Sequence, residues 1–214
     1  DNNTQGGPSR TFKNNGISNG DWYVVLGGDG PQPATEPGIP DIIYAQSQYG
    51  VLVRYDRLNG EELGIQPQPR KDENAYRWNW DAPLVISNHD NKRLYFAANK
   101  VFRTDDRGNS WTVISEDLTA QIDRNKLKVM GRVWGIDAIA KNGSTSPYGT
   151  IVTMDESPLN EDLLFVGTDD GLVQITENMG DTWTQVSTIP GVPKQTYVNT
   201  VSYTHLTLPT IYSV

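Results

Sequence analysis

Apolar residues recur at every second position in short runs along the chain, and the runs come in pairs. Leu94-Tyr95-Phe96-Ala97 is followed by Val101-Phe102, and Leu164-Phe165-Val166 by Leu172-Val173-Gln174-Ile175. An earlier pair joins Asp41-Ile42-Ile43-Tyr44-Ala45 to Tyr49-Gly50-Val51-Leu52-Val53-Arg54-Tyr55. Alternation at period two, rich in aromatic and β-branched residues, predicts half-buried strands. The small residues Ala45, Ala97 and Gly167 fall at matching points of the three pairs. Between the pairs, 60–75 and 141–147 read as polar surface loops, and 116–128 as a short helix.

Two octets follow the second and third pairs. Thr104-Asp105-Asp106-Arg107-Gly108-Asn109-Ser110-Trp111 and Thr176-Glu177-Asn178-Met179-Gly180-Asp181-Thr182-Trp183 share the pattern hydroxyl-x-Asp/Asn-x-Gly-x-hydroxyl-Trp. Lying between strands, each must form a hairpin turn. Asp106 or Asn178 is suited to bond an N–H two residues on, Gly108 or Gly180 to supply positive φ, and Ser110 or Thr182 to bond across the turn. Trp111 or Trp183 then packs beneath it, while Thr104 or Thr176 opens it. The carboxylates here are expected to be structural. The first unit carries only Asp56-Arg57-Leu58-Asn59-Gly60, without a Trp, and Gly20-Asp21-Trp22-Tyr23-Val24-Val25 looks like the end of a still earlier copy.

Units of roughly 50–70 residues with about four short strands each are the mark of β-propeller blades. The expected fold is therefore all-β: a β-propeller fragment of about three blades of four-stranded antiparallel sheets, with approximate blades 22–75, 76–133 and 134–200 in a partial propeller over 1–200. Three blades do not close a ring, so blades of the same polypeptide are expected as partners. The octets resemble the Asp-box of bacterial-neuraminidase-repeat proteins. Gly-Thr-Asp-Asp-Gly-Leu-Val-Gln-Ile-Thr (167–176) and Arg-Trp-Asn-Trp-Asp-Ala-Pro-Leu (77–84) resemble bacterial sortilin/VPS10-type, glycosyl-hydrolase-like repeat proteins. That resemblance implies a secreted or periplasmic, cell-envelope protein that binds a protein or peptide.

Composition narrows the chemistry. A net charge of −8 disfavours nucleic acid and anionic membrane surfaces. No run is long and apolar enough for direct membrane insertion. The chain has no cysteine, which removes disulfides, zinc thiolates and Cys nucleophiles. Of two histidines, His89 lies in a surface turn, and His205 lies in 201–214, an uncharged tail that resembles translated sequencing-adapter sequence and is read as non-native. Neither a Ser-His-Asp triad nor a multi-His metal site can be assembled. No metal or cofactor is expected.

Carboxylates remain. Asp29 sits in Gly27-Gly28-Asp29-Gly30, Asp81 ends Tyr76-Arg77-Trp78-Asn79-Trp80-Asp81, and Asp137 follows Gly131-Arg132-Val133-Trp134-Gly135-Ile136. They recur at comparable points of successive units and are the candidate catalytic residues of a glycoside hydrolase, which needs only two such groups across a cleft. Each is equally suited to close a turn. In an extended 76–81, Trp78 and Trp80 share a face that could stack sugar rings, with Arg77 on the face that could bond hydroxyls; the alternative is that both indoles pack between blades. The first reading is a non-catalytic ligand-binding propeller module for a protein, peptide or glycan. A carbohydrate-active hydrolase and a structural spacer of a multidomain surface protein are the alternatives.

Overall fold

The computed structural model describes residues 3–143, 145, 147–186 and 189–202. Among them the strands are β1 (Thr4–Gly6), β2 (Tyr23–Leu26), β3 (Ala34–Glu36), β4 (Ile39–Ser47), β5 (Val51–Asp56), β6 (Glu61–Gly64), β7 (Leu84–Ile86), β8 (Leu94–Ala97), β9 (Val101–Thr104), β10 (Thr112–Val113), β11 (Ile151–Glu156), β12 (Leu164–Thr168), β13 (Val173–Thr176) and β14 (Thr184–Val186). They form three four-stranded meanders in the orders β3-β4-β5-β6, β7-β8-β9-β10 and β11-β12-β13-β14, with β1-β2 as a separate pair. Every pairing is antiparallel.

The period-two pattern decides how the sheets stack. In the first sheet Ile43, Ala45 and Val53 turn towards Val25 of β2, while Tyr44 and Leu52 turn towards Leu84, Leu94 and Phe96 of the second. Tyr95, Ala97 and Val101 leave the second sheet on its other face and meet Ile151, Leu164 and Val166 of the third. The second sheet is thus covered on both faces by its neighbours, as in successive blades, and the first lies between it and β2. Complete burial of one such side chain stabilises by about 1.5–3 kcal/mol, so the layered interfaces hold the stack together.

The octets join these layers. Thr104 Oγ1 accepts from Asp106 N at 3.2 Å and from Gly108 N at 3.0 Å, while Asp106 accepts from Ser110 N at 2.9 Å and Ser110 Oγ at 2.7 Å. In the second octet Thr176 Oγ1 accepts from Asn178 N and Gly180 N, and Asn178 Oδ1 accepts from Thr182 N at 2.9 Å. The expectation that the Asp or Asn bonds two residues on is corrected here. The threonine hydroxyl does that, because it stands at the mouth of the turn, and the longer side chain spans four residues to its far end. Positive φ is confirmed at Gly108 (83°) and Gly180 (98°).

Each octet Trp also reaches the preceding blade. Trp111 Nε1 donates to Ile65 O at 2.7 Å and Trp183 Nε1 to Ile114 O at 2.8 Å. A Cβ on Gly108 would stand 2.6 Å from Ile65, and one on Gly180 2.6 Å from Ile114 O, so glycine also lets the turn seat on that neighbour. The incomplete first unit has its own turn, in which Asp56 Oδ1 accepts from Leu58 N, but lacks the indole to clasp anything before it. A second link joins the first two blades: buried Glu36 takes both Arg107 Nε and Nη2, at 2.6 and 2.7 Å.

The helix expected over 116–128 does not form. Only Arg124–Lys126 makes a single 3-10 turn. Asp117 and Asp123 bond the N–H groups two residues on, and Leu118 N is drawn to Asn99 O, which diverts the backbone from helix. His89 lies in the β7–β8 turn, its Nε2 2.8 Å from Ser157 O of the next blade's equivalent turn. Of the tail, 203–214 lie outside the described residues.

Candidate functional site

In a four-stranded meander the turns alternate between the two ends of the blade. The turns joining first to second strands and third to fourth strands share one end. The turns joining second to third strands share the other with the connections between blades. The octets occupy the first end. Asp29, in the connection from β2 to β3, Asp81, in that from β6 to β7, and Asp137, in that from β10 to β11, all belong to the second.

The connection from β10 to β11 is the longest, and it covers the end of the third blade. Its 120–148 segment is held by Arg124 Nη2 donating to Thr145 Oγ1 (2.9 Å), Trp134 Nε1 to Val129 O (2.9 Å) and Lys141 Nζ to Trp134 O (2.7 Å). Beneath it opens a cleft of about 730 Å³. Leu127, Val129, Trp134, Ile139, Tyr148 and Tyr197 give it apolar walls, Arg124 and Lys141 line it as its basic residues, and Asn79 and Asp169, from the blades, form its polar end. Ile139 is 99% exposed on the rim, with Ile136 (98%) and Met130 (93%) on the same loop.

The polar end is a network shared by two blades. Asn79, buried, donates to Thr150 Oγ1 at 2.8 Å, and Thr150 Oγ1 donates to Asp169 Oδ2 at 2.9 Å. Gly149 N and Thr150 N both donate to Asp169 Oδ1, at 3.0 and 2.8 Å. Asp170 accepts from Thr168 Oγ1 (2.6 Å) and Ala120 N (2.8 Å). Burial pushes both carboxyls above the ordinary carboxylate range, against the pull of these donors. Burial likewise opposes ionisation of Asp117, but hydrogen bonds from Thr119, Arg77 and Asn99 outweigh it and hold that group low. Tyr197 is raised by burial, then by the charges of Asp169 and Asp81.

The residues singled out in the sequence divide accordingly. Arg77 and Trp78 do alternate as expected, but both are engaged in packing. Arg77 donates to Asp117 Oδ2 (2.7 Å), Thr119 Oγ1 (3.0 Å) and Gly149 O (3.0 Å). Trp78 lies 5.6 Å from Phe102 in a stacked pair and 4.8 Å from Phe96, and a Cβ on Gly50 would reach within 2.4 Å of its ring. An indole packed in this way is part of the layer between blades, so the sugar platform expected at Trp78 is replaced by core. Trp80 meets Tyr49 edge to face at 5.1 Å. Asp81 is exposed, its N–H held by Asn79 Oδ1, and it is not among the residues lining the cleft. Asp29 sits instead beside the first blade's β4–β5 turn, since its neighbour Gly28 abuts Ser47 and Gln48. Asp137 is exposed on the covering segment, against Gly135. Among the described residues no three acids or histidines converge as metal ligands. Asp169, Asp170 and Tyr148 were missed as site residues; 169–171 reads from sequence as a turn, which it is, and nothing local announces the segment that buries it.

Three stacked meanders with blade-to-blade clasps define the chain as part of a β-propeller. No protein-family model matches it, and no curated protein does. Among solved structures, a GH74 xyloglucanase from Xanthomonas campestris has a TM-score of 0.51 at 17% identity, over 77% of this chain and 21% of its own. A GH74 enzyme from Niastella koreensis has a TM-score of 0.48 at 19% identity, over 83% of this chain and 23% of its own. A structure of YCF48 bound to D1 peptide has a TM-score of 0.38 at 12% identity, over 73% of this chain and 39% of its own. The chain therefore spans less than a quarter of either GH74 enzyme's length.

Proposed function

We propose that this part of the propeller is a non-catalytic module that binds a protein or peptide in the cleft under the 120–148 segment. The observation that carries this reading is the pairing of an apolar, open cleft with a polar end whose buried acids are already saturated by structural donors. Carbon walls of Leu127, Val129, Trp134 and Ile139 favour apolar side chains over the hydroxyls of a glycan, which would lose hydration there without gaining partners. Asp117, Asp169 and Asp170 accept from backbone and side-chain donors that fix loops, a positioning role rather than proton transfer. The octet geometry supports an Asp-box origin, and with it the proposal of a secreted or cell-envelope protein whose further blades complete the ring.

The test is to offer the full chain and its Ile139→Asp variant to a peptide array, a glycan array and a panel of polysaccharides. The expected result is peptide binding that the variant loses, with no sugar released. Sugar release by the wild-type chain, or binding confined to glycans, contradicts the reading.

A further inference from the structure

The segment over the cleft carries a charge opposite to that of the chain as a whole. Residues 120–148 hold five cations, Arg124, Lys126, Lys128, Arg132 and Lys141, against two acids, Asp123 and Asp137, in a chain of net charge −8. One of those acids is answered within the segment, since Asp123 caps the Arg124–Lys126 turn and pairs with Lys126 at 3.6 Å. Arg132 lies over the Trp134 ring, 3.5 Å from its centre. Arg124 and Lys141 line the cleft itself. Lys141 is half-buried; its Nζ donates to Trp134 O at 2.7 Å and forms no ion pair among the described residues. The blades bring one carboxylate to the lining, Asp169, and three donors from Gly149 and Thr150 occupy it. The covering side of the cleft therefore holds an ammonium with only a carbonyl for a partner, and Leu127, Val129 and Trp134 line the same space.

We propose that Lys141 receives an acidic side chain of the bound peptide, a glutamate or aspartate next to an apolar residue that the carbon walls hold. This rests on the peptide-binding reading and specifies its chemistry. An ammonium has three donors and the Trp134 carbonyl takes one, so a carboxylate adds a charge-assisted bond in a site partly shielded from water. Asp169 repels such a group from the blade end, which favours the side of the covering segment. The surplus of cations on that segment draws acidic peptides to the cleft, while a lysine or arginine at the same point of a ligand meets like charge. Charge thus selects among peptides that the apolar walls alone would admit equally.

The experiment is to pan a phage-displayed library of random dodecapeptides on the immobilised full chain and then to synthesise the enriched sequences. Ile139→Asn serves as counter-selection, because it removes the apolar rim without adding a charge. Enriched peptides are expected to carry a glutamate or aspartate next to apolar residues. Replacing that acid by its amide should weaken binding to the wild-type chain about tenfold, the scale of one charge-assisted contact. Lys141→Gln keeps a donor for Trp134 O and loses the charge, so it should weaken the acidic peptide several-fold and close the gap between it and its amide form. Lys141→Arg should restore the gap, which a merely structural role for the side chain would not produce.

If the enriched peptides lack an acid, or the amide form binds equally, or Lys141→Gln preserves the gap, the assignment is overturned. Loss of binding by Ile139→Asn would in that case still leave the cleft as the peptide site. If nothing is enriched, or Ile139→Asn binds the peptides as well as wild type, the peptide reading falls together with the inference. Cosedimentation of the wild-type chain with phosphatidylglycerol vesicles, without peptide enrichment, would overturn both and assign the basic segment to an anionic membrane surface.

Discussion

At the scale of single residues, the two octets are a comparison made by the chain itself. Asp106 and Asn178 hold equivalent turns with the same oxygen, and they differ only in the second atom. Asp106 accepts from Ser110 Oγ, whereas Asn178 Nδ2 donates to Thr182 Oγ1 at 2.8 Å. A hydroxyl serves either, so Asp106→Asn should change stability at neutral pH by no more than about 0.5 kcal/mol. Thr104→Val should cost about 2 kcal/mol, because it strands two backbone donors at a buried site; urea melts of the three proteins check both values. Hydrogen bonds from Thr104 and then Ser110 hold the Asp106 carboxyl down at about 2. A depressed carboxylate stabilises the fold fully above its unfolded value and loses that contribution as pH falls through its folded one. Wild type should therefore lose ground to Asp106→Asn between about pH 4 and 2, read as converging or crossing melting temperatures. Asp169 and Asp170 act in the opposite sense, weakening the fold as pH climbs through their raised values, but they are common to both proteins and cancel in the difference.

At the scale of elements, the blade-to-blade clasp depends on an outer-strand carbonyl and a tryptophan from the next octet. Ile65 and Ile114 are placed alike: Ile65 N donates to Leu52 O and Ile114 N to Val101 O, both at 2.9 Å. Trp111→Ala removes the bond to Ile65 and a ring that packs near Phe96, and should cost about 2–3 kcal/mol, measured by denaturant unfolding. Trp111→Phe, which keeps most of the packing and loses only the donor, should recover more than half of that. The strands and octets were legible in the sequence because they rest on local rules: period-two alternation and a turn grammar spaced over eight residues. The helix misread at 116–128 shows where those rules end. Asp117 looks like an ordinary helical acid until Arg77, forty positions away, and Asn99 compete for it. Trp78 failed as a platform for a similar reason, since its partners Phe96 and Phe102 come from strands that only the fold brings beside it.

At the scale of the molecule, the repeat extends beyond the third sheet. Ile151 N donates to Ala98 O at 2.7 Å where the third blade begins on the second. Val198 N donates to Thr168 O at 3.1 Å, and Ala98 and Thr168 each follow the matched small residues Ala97 and Gly167. Residues 195–201 lie on the outer face of the third sheet in this way, with Val198 against Gly167 and Val201 N on Thr153 Oγ1. Gly167→Leu should dislodge the segment, since even a Cβ would approach Val198 to 2.4 Å, and faster proteolysis around 190–200 would report it. The cleft itself was invisible in the sequence: its walls come from 79, 124–148, 169 and 197, and only the meander carries these to one end. The same topology sets the octets at the other end of the blades from the proposed binding cleft, and the central claim is that a ligand seats in the cleft alone. Hydrogen–deuterium exchange on the full chain, with and without a peptide selected on it, tests that claim most directly. Protection over 124–148 and around 169 and 197, with 104–111 and 176–183 unchanged, is the expected result; protection centred on the octets, with the covering segment unaffected, would contradict it.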